Sequence, residues 1–257
     1  MLAIKEISKR FGGVQAVNAV SFDVAAGRIV GLIGPNGAGK TTLFNIVSGF
    51  LPGDSGEIHF SGAPIHALPP HERAALGIGR TFQHVQLMTA ATVLENVMVG
   101  LHLRGTAGAT KGILRTRAQR REEHDLEARA RDALVAAELS YLADTTVADL
   151  PYGLQKRVEF VRALASQPKL LLLDEPAAGL NDAETDELGE LICAARNSGV
   201  TVLVVEHAMP LVMGICDHIV VVDFGRKIAE GTPEQVRSNP LVIDAYLGSG
   251  PETAGHA

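Results

Sequence analysis

Gly34–Thr42 reads GPNGAGKTT and fits the pattern G-x-x-x-x-G-K-[ST], with Gly34, Gly39, Lys40 and Thr41 in the fixed places. Upstream, Arg28–Ile33 (RIVGLI) is a short apolar run with the look of a buried strand. Downstream, Thr42–Phe50 (TLFNIVSGF) carries apolar residues at helical spacing. Strand, glycine loop and helix thus follow in the order a polyphosphate cradle needs. Across Gly34, Pro35, Asn36, Gly37, Ala38 and Gly39 the backbone N–H groups can turn inward, and the helix that begins near Lys40, Thr41 and Thr42 adds the positive end of its dipole. Lys40 is expected to reach the outer phosphates, and Thr41 to offer its hydroxyl to Mg²⁺.

The chain around this loop has 257 residues, enough for one large domain or two modest ones. Its 23 basic and 29 acidic residues give a formal charge of −6, which argues against bulk nucleic acid as the main partner. Cys193 and Cys216 lack C-x-x-C spacing and read as small core residues of a reducing compartment. The first residues, MLAIKEISKRFGG, show no apolar signal core, and no run approaches the ~18 apolar residues that span a bilayer. The chain is therefore expected to be soluble by itself.

Residues 1–28 predict two or three short strands, and 57–65 a further strand turned at Gly62. A short helix is expected over His71–Leu76. From Leu103 the sequence is first loop-like, then helical, with Arg and Glu alternating through 115–131 as on a solvated face. Leu126, Ala130, Ala133, Leu134 and Ala137 form its apolar stripe. Pro151 and Gly153 punctuate, and a fresh helix is expected over Leu154–Ser166. Thereafter strands and helices alternate, which indicates a parallel sheet flanked by helices. Residues 225–231 (GRKIAEG) predict a hairpin and Pro233 another helix. Together these give one α/β domain over 1–248, with an N-terminal antiparallel β subdomain, a helical subdomain over roughly 84–167, and a disordered tail over 249–257.

Further chemistry stands at two strand ends. Leu170–Leu173 run into Asp174 and Glu175. Neighbouring side chains on a strand point to opposite faces, so Asp174 can serve Mg²⁺ while Glu175 orients and deprotonates a water. Val202–Val205 end in Glu206 and His207. An imidazole at the carboxyl edge of such a sheet can donate a hydrogen bond to a terminal phosphate.

RFGGVQAV, GPNGAGKTT, GRTFQH, LPYGLQKRVEFVRAL, LLLLDEP, AAGLND and VVEH, in this order, resemble the nucleotide-binding subunit of an ATP-binding cassette transporter over residues 3–248. RTFQHVQL, TVLENVMVG, EPAAGLN, EHAMPLVMGICDHIVVVD and GTPEQVRSNPLVIDAYLG resemble more closely the importers of branched-chain amino acids. The resemblance implies a P-loop NTPase core, ATP and Mg²⁺ as cofactors, and ATP hydrolysis coupled to transport. Phe11 then matches the aromatic that stacks on adenine, with Val17 beside it. Gln83 matches the glutamine that senses Mg²⁺ and the attacking water, Glu175 the general base, and His207 the γ-phosphate sensor. Tyr152 and Gly153 fall in the signature that closes on the ATP of an opposite subunit. Implied partners are a second nucleotide-binding subunit, identical or different, integral membrane permease subunits docking near Gln83–Gly100, and a periplasmic or extracellular solute-binding protein. The implied location is the cytoplasmic face of a bacterial membrane.

Two positions depart from the family pattern. Its L-S-G-G-Q stands here as Leu150, Pro151, Tyr152, Gly153 and Leu154, without the serine hydroxyl, and its usual aspartate is Asn181. Three other readings compete: a soluble cassette ATPase acting on ribosomes or DNA, a P-loop kinase in which Glu175 serves an acceptor hydroxyl, and an importer subunit for another small solute.

Overall fold

The computed structural model describes residues 1–102 and 117–247. The loop expected from Leu103 and the disordered tail expected over 249–257 lie outside the described residues. The chain opens with β1 (Leu2–Phe11) and β2 (Val14–Val24), one antiparallel hairpin in place of two or three short strands. Glu6 and Ala19 take φ of 50° and 49° where the register shifts. Bulges of this kind keep the pairing going while breaking the alternation by which a strand's length is read.

β3 (Ile29–Ile33) is buried at all five positions and leads through the glycine loop into α1 (Lys40–Ser48). Gly49 ends that helix in the left-handed region, its N–H returning to the carbonyls of Asn45 and Ile46. β4 (Ser55–Phe60) and β5 (Ala63–Pro64) follow, then α2 (Pro70–Ala75), β6 (Ile78–Arg80), α3 (Val93–His102), α4 (Arg117–Ala136), α5 (Tyr152–Ala165), β7 (Leu170–Asp174) and α6 (Asp182–Asn197). The remainder is β8 (Thr201–Val205), α7 (Met209–Ile215), β9 (His218–Asp223), β10 (Arg226–Gly231), α8 (Pro233–Arg237) and α9 (Pro240–Leu247).

The chain divides into two compact units. One holds Met1–Pro70 and the chain from Thr201 onward; the other holds His71–Val200. In the first, an antiparallel sheet runs in the order β2-β1-β4-β5. Beside it, β3 pairs in parallel with both β8 and β9, and β10 returns antiparallel on β9. GRKIAEG is therefore one arm of a hairpin whose other arm is β9. Strands β3 and β8 are apolar without alternation because both their faces are covered.

In the second unit β6 and β7 pair in parallel, with Ile78 opposite Leu170. Helices α3, α4 and α5 enclose a core that includes Val97, Leu126, Ala130, Leu134, Val158 and Val161. The stripe expected on α4 faces this core, and burying each leucine there contributes about 1.5–3 kcal/mol. On its outer face Arg131 pairs with Glu127 at 2.9 Å, the pattern of a solvated surface. α3 starts in a capping box: Thr92 N–H donates to Glu95 Oε2 (2.7 Å), and Glu95 N–H to Thr92 Oγ1 (3.2 Å).

The expected start of α5 at Leu154 moves to Tyr152. Pro151, with φ fixed near its helical value, serves as the extended residue before the first turn, and Gly153 lies inside the helix. Cys193 and Cys216 are free thiols. No helix among the described residues is long and apolar enough to cross a membrane.

Candidate functional site

In the first unit the glycine loop bends round the start of α1. No side chain caps this helix, and no acidic residue stands in its first turn, so its N–H groups and positive dipole end face an anion without competition. Lys40 is largely buried, and its Nζ donates to the carbonyls of Gly34 (2.7 Å) and Pro35 (2.8 Å). The ammonium is thereby held across the loop. Gly39 sits at φ 97°, and a Cβ there would lie 2.3 Å from the Ala16 carbonyl oxygen, so the loop closes against β2 only with glycine at this place. A second brace comes from the β9–β10 turn. Gly225 N–H donates to Ala38 O (3.0 Å), and Gly225 O accepts from Asn18 N–H (2.7 Å). A third comes from α9, where the Tyr246 hydroxyl meets the Gly34 N–H; burial pushes that phenol up to about 12, against the pull of the Gly34 N–H.

Phe11 ends β1 at the tip of the first hairpin, 49% exposed, with Lys9 Nζ 5.7 Å from its ring centroid. A large aromatic in solvent is the kind of platform on which a base can stack. Val17, expected beside it, is buried in the core of the same hairpin. Beyond β8, the buried Glu206 accepts from His207 N–H (2.7 Å) and Ala208 N–H (3.1 Å), and His207 Nδ1 lies 3.4 Å from the same carboxylate. The imidazole is thus oriented by a buried acid, while its side chain is 61% exposed.

In the second unit Asp174 closes β7 and pairs with Arg80 Nη2 at 2.8 Å. Burial pushes its carboxyl above the ordinary aspartate range, and the Arg80 charge and hydrogen bond pull it back. Glu175 follows at φ 46°. This left-handed conformation is costly for a residue with a side chain, and the Glu175 charge adds to the upward push on Asp174. Glu175 Oε2 accepts from Gln83 Nε2 at 2.8 Å. The structure therefore brings Gln83 and Glu175 together as neighbours, and gives Asp174 a cationic partner.

The signature segment also lies in this unit. Tyr152 is 43% exposed, and no side chain caps α5. At Gly153 a Cβ would lie 2.3 Å from Glu184 Oε1, so the helix start packs closely on that carboxylate. Glu184 and Asn181 make a capping box at the head of α6, each donating its N–H to the other's side chain at 3.0 Å. Asn181, where the family has an aspartate, is an N-cap.

Sequence reasoning missed Arg80, Gly225 and Tyr246 as contributors. Arg80 stands in the quoted GRTFQH, yet no spacing rule joins residue 80 to residue 174; the parallel register of β6 and β7 does. Gly225 and Tyr246 reach the phosphate loop from more than 180 residues away along the chain, which no local pattern reports.

The sequence pattern of the ABC transporter family matches residues 17–178, and that of the branched-chain amino acid ATP-binding cassette transporter matches 226–252. The chain is 47% identical over 249 residues to the high-affinity branched-chain amino acid transport ATP-binding protein LivG of Salmonella typhimurium, covering 96% of this chain and 98% of that one. It is 45% identical, with the same coverage, to the corresponding BraF protein of Pseudomonas aeruginosa. Among solved structures, the ADP conformation of an ATP-binding cassette of an ABC transporter superposes with a TM-score of 0.84 at 33% identity, covering 96% of this chain and 98% of that one. A braced phosphate loop, a glutamine-paired glutamate after a buried strand, and a likeness that runs the whole described length lead to one assignment: this chain belongs to the ATP-binding cassette family of ABC transporters.

Proposed function

We propose that this chain is the ATP-binding and ATP-hydrolysing subunit of an importer of branched-chain amino acids, acting at the cytoplasmic face of the membrane with separate permease subunits. The observation that carries the reading is the extent of the likeness. It runs through the C-terminal segment that is particular to the branched-chain amino acid cassettes, beyond the ATPase motifs shared by the whole family. A soluble cassette acting on ribosomes or DNA gives no reason for that segment, and a kinase gives none for the signature.

In this reading Phe11 stacks on adenine, with Val17 supporting it from the core. The N–H groups of Gly34–Thr42 surround the phosphates, and Lys40 turns from its two carbonyl partners to the outer phosphates. Thr41, Gln83 and Asp174 offer a hydroxyl, an amide oxygen and a carboxylate, the hard oxygen donors that suit Mg²⁺. Gln83 fits such a role because its amide nitrogen is spent on Glu175, which leaves the amide oxygen as the atom it offers a cation. Mg²⁺, when bound, neutralises phosphate charge as the terminal bond breaks. Glu175 accepts a proton from the attacking water, Gln83 holds that carboxylate in place, and His207, oriented by Glu206, faces the γ-phosphate. The Tyr152–Gly153 start of α5 closes on ATP held by a second cassette through backbone N–H groups and helix dipole, since the serine hydroxyl is absent. A solute-binding protein delivers the cargo outside.

The reading is tested by pairing two variants with an uptake assay. Glu175→Gln is expected to bind ATP as tightly as the wild type while turnover falls at least 100-fold. Lys40→Ala is expected to lose ATP binding. Cells lacking the chain should fail to take up labelled leucine while retaining uptake of unrelated solutes. Normal turnover in Glu175→Gln, or undiminished leucine uptake, overturns the reading.

A further inference from the structure

We propose that Lys156 is a positioning residue that ties the signature end of α5 to the hydrolytic Glu175 through Gln83. This inference rests on the assignment of Glu175 as the base. All the groups concerned lie in the second unit.

One face of α5 grips the backbone of Gln83–Gln86 at three points. Lys156 Nζ donates to Gln83 O at 2.8 Å. Gln86 N–H donates to Glu159 Oε1 at 2.9 Å, and Arg162 Nη1 donates to Gln86 O. Positions 156, 159 and 162 recur every three residues, so they line one side of a helix. Lys156 and Glu159 are only 4% and 3% exposed, although these are the residue types most reluctant to be buried. Taking two such charges out of water costs several kcal/mol each, and a ring of apolar residues would pack at least as well. What the charges provide, and apolar residues cannot, is a fixed attachment to the main chain of Gln83 and Gln86.

That attachment has a direction. Gln83, held by its carbonyl on Lys156, extends its side-chain amide to Glu175 Oε2 at 2.8 Å. At the other end, Lys156 Nζ lies 5.8 Å from the ring centroid of Tyr152, one turn back on the same helix. The ring itself lies against Gly179, whose Cβ, if present, would be 3.0 Å from Tyr152 Cε1. A displacement of the Tyr152 end of α5 therefore acts on Lys156, then on Gln83, then on the carboxylate that must face the water. Misplacing a reacting group by about 1 Å can cost on the order of 100-fold in rate.

The test is ATP turnover and ATP affinity of the purified full-length chain carrying Lys156→Met, Lys156→Arg, Gln83→Ala, and Lys156→Met with Gln83→Ala. Lys156→Met should lower kcat about 10- to 100-fold with ATP affinity within about twofold of wild type. Lys156→Arg, which keeps a charged donor, should recover most of the loss. In the Gln83→Ala background Lys156→Met should cost nothing further, because the link it serves is already cut. If the buried Met variant is not recovered folded, Lys156→Met with Glu159→Leu removes both buried charges together and carries the same expectations. An unchanged kcat, a loss fully additive with Gln83→Ala, or no recovery by arginine overturns the proposal. If Glu175→Gln still turns over ATP, it is the assignment of the base that fails. If Glu175→Gln is inactive and Lys156→Met is normal, only the link fails.

Discussion

Phe11 shows how much a single side chain can be asked to do. A phenylalanine that leaves about half its surface in water gives up burial energy for which its own fold gains nothing. In the proposed function a flat base recovers that energy on binding. Phe11→Ala is expected to weaken ATP binding by about 1–2 kcal/mol, roughly 5- to 30-fold in Kd, while inorganic tripolyphosphate binds as before. Calorimetry with the two ligands checks this, because tripolyphosphate shares the phosphate contacts and lacks the base. An equal loss for both ligands would move Phe11 from base stacking to support of the loop.

At the scale of elements, helix starts divide into those that are capped and those that are left bare. α3 and α6 begin in capping boxes, and α8 does the same with Thr232 and Gln235. α1, α5 and α7 begin without any side-chain cap. In the proposed function two of these bare starts, at the phosphate loop and at the signature, meet nucleotide, where a side-chain cap would occupy the N–H groups an anion needs. Asn181 belongs to the capped class. Asn181→Ala should lower stability by about 1 kcal/mol in urea unfolding, and Asn181→Asp, which also accepts from Glu184 N–H, should be neutral within a few tenths.

Stability of the whole molecule carries the cost of the buried charges. Burial raises Glu159 above 4.5, with the Gln86 N–H and the Arg162 and Lys156 charges opposing it. Because the folded value lies above the unfolded one, the stability linked to this group is present in full at low pH and is lost as pH rises upward from about 4.5. Asp174 behaves in the same sense from 3.8 upward. Glu159→Gln removes one of these titrations. Its stability relative to wild type should therefore rise with pH between about 4.5 and neutrality, as urea midpoints at matched pH values would record. A difference that falls with pH would mean that the two cations outweigh the burial.

The sequence by itself determined the phosphate loop, the buried strands on either side of the acidic pair, the apolar stripe of α4 and the family. These are local patterns: apolar period, glycine spacing and an acid at a strand end are read within about 20 residues. It also placed Glu175 and His207 at strand ends. Tertiary structure alone decided which groups hold them. Arg80 reaches Asp174 because β6 and β7 lie in register, and Glu175, whose backbone adopts a left-handed conformation that propensity does not favour, meets the Gln83 amide. Gly225 and Tyr246 brace a loop that lies far behind them in the chain, and three side chains of α5 hold a segment some 70 residues earlier. Contacts of this kind arise from where strands and helices pack. One-dimensional spacing carries no trace of them, because the free energy that selects them belongs to the assembled core.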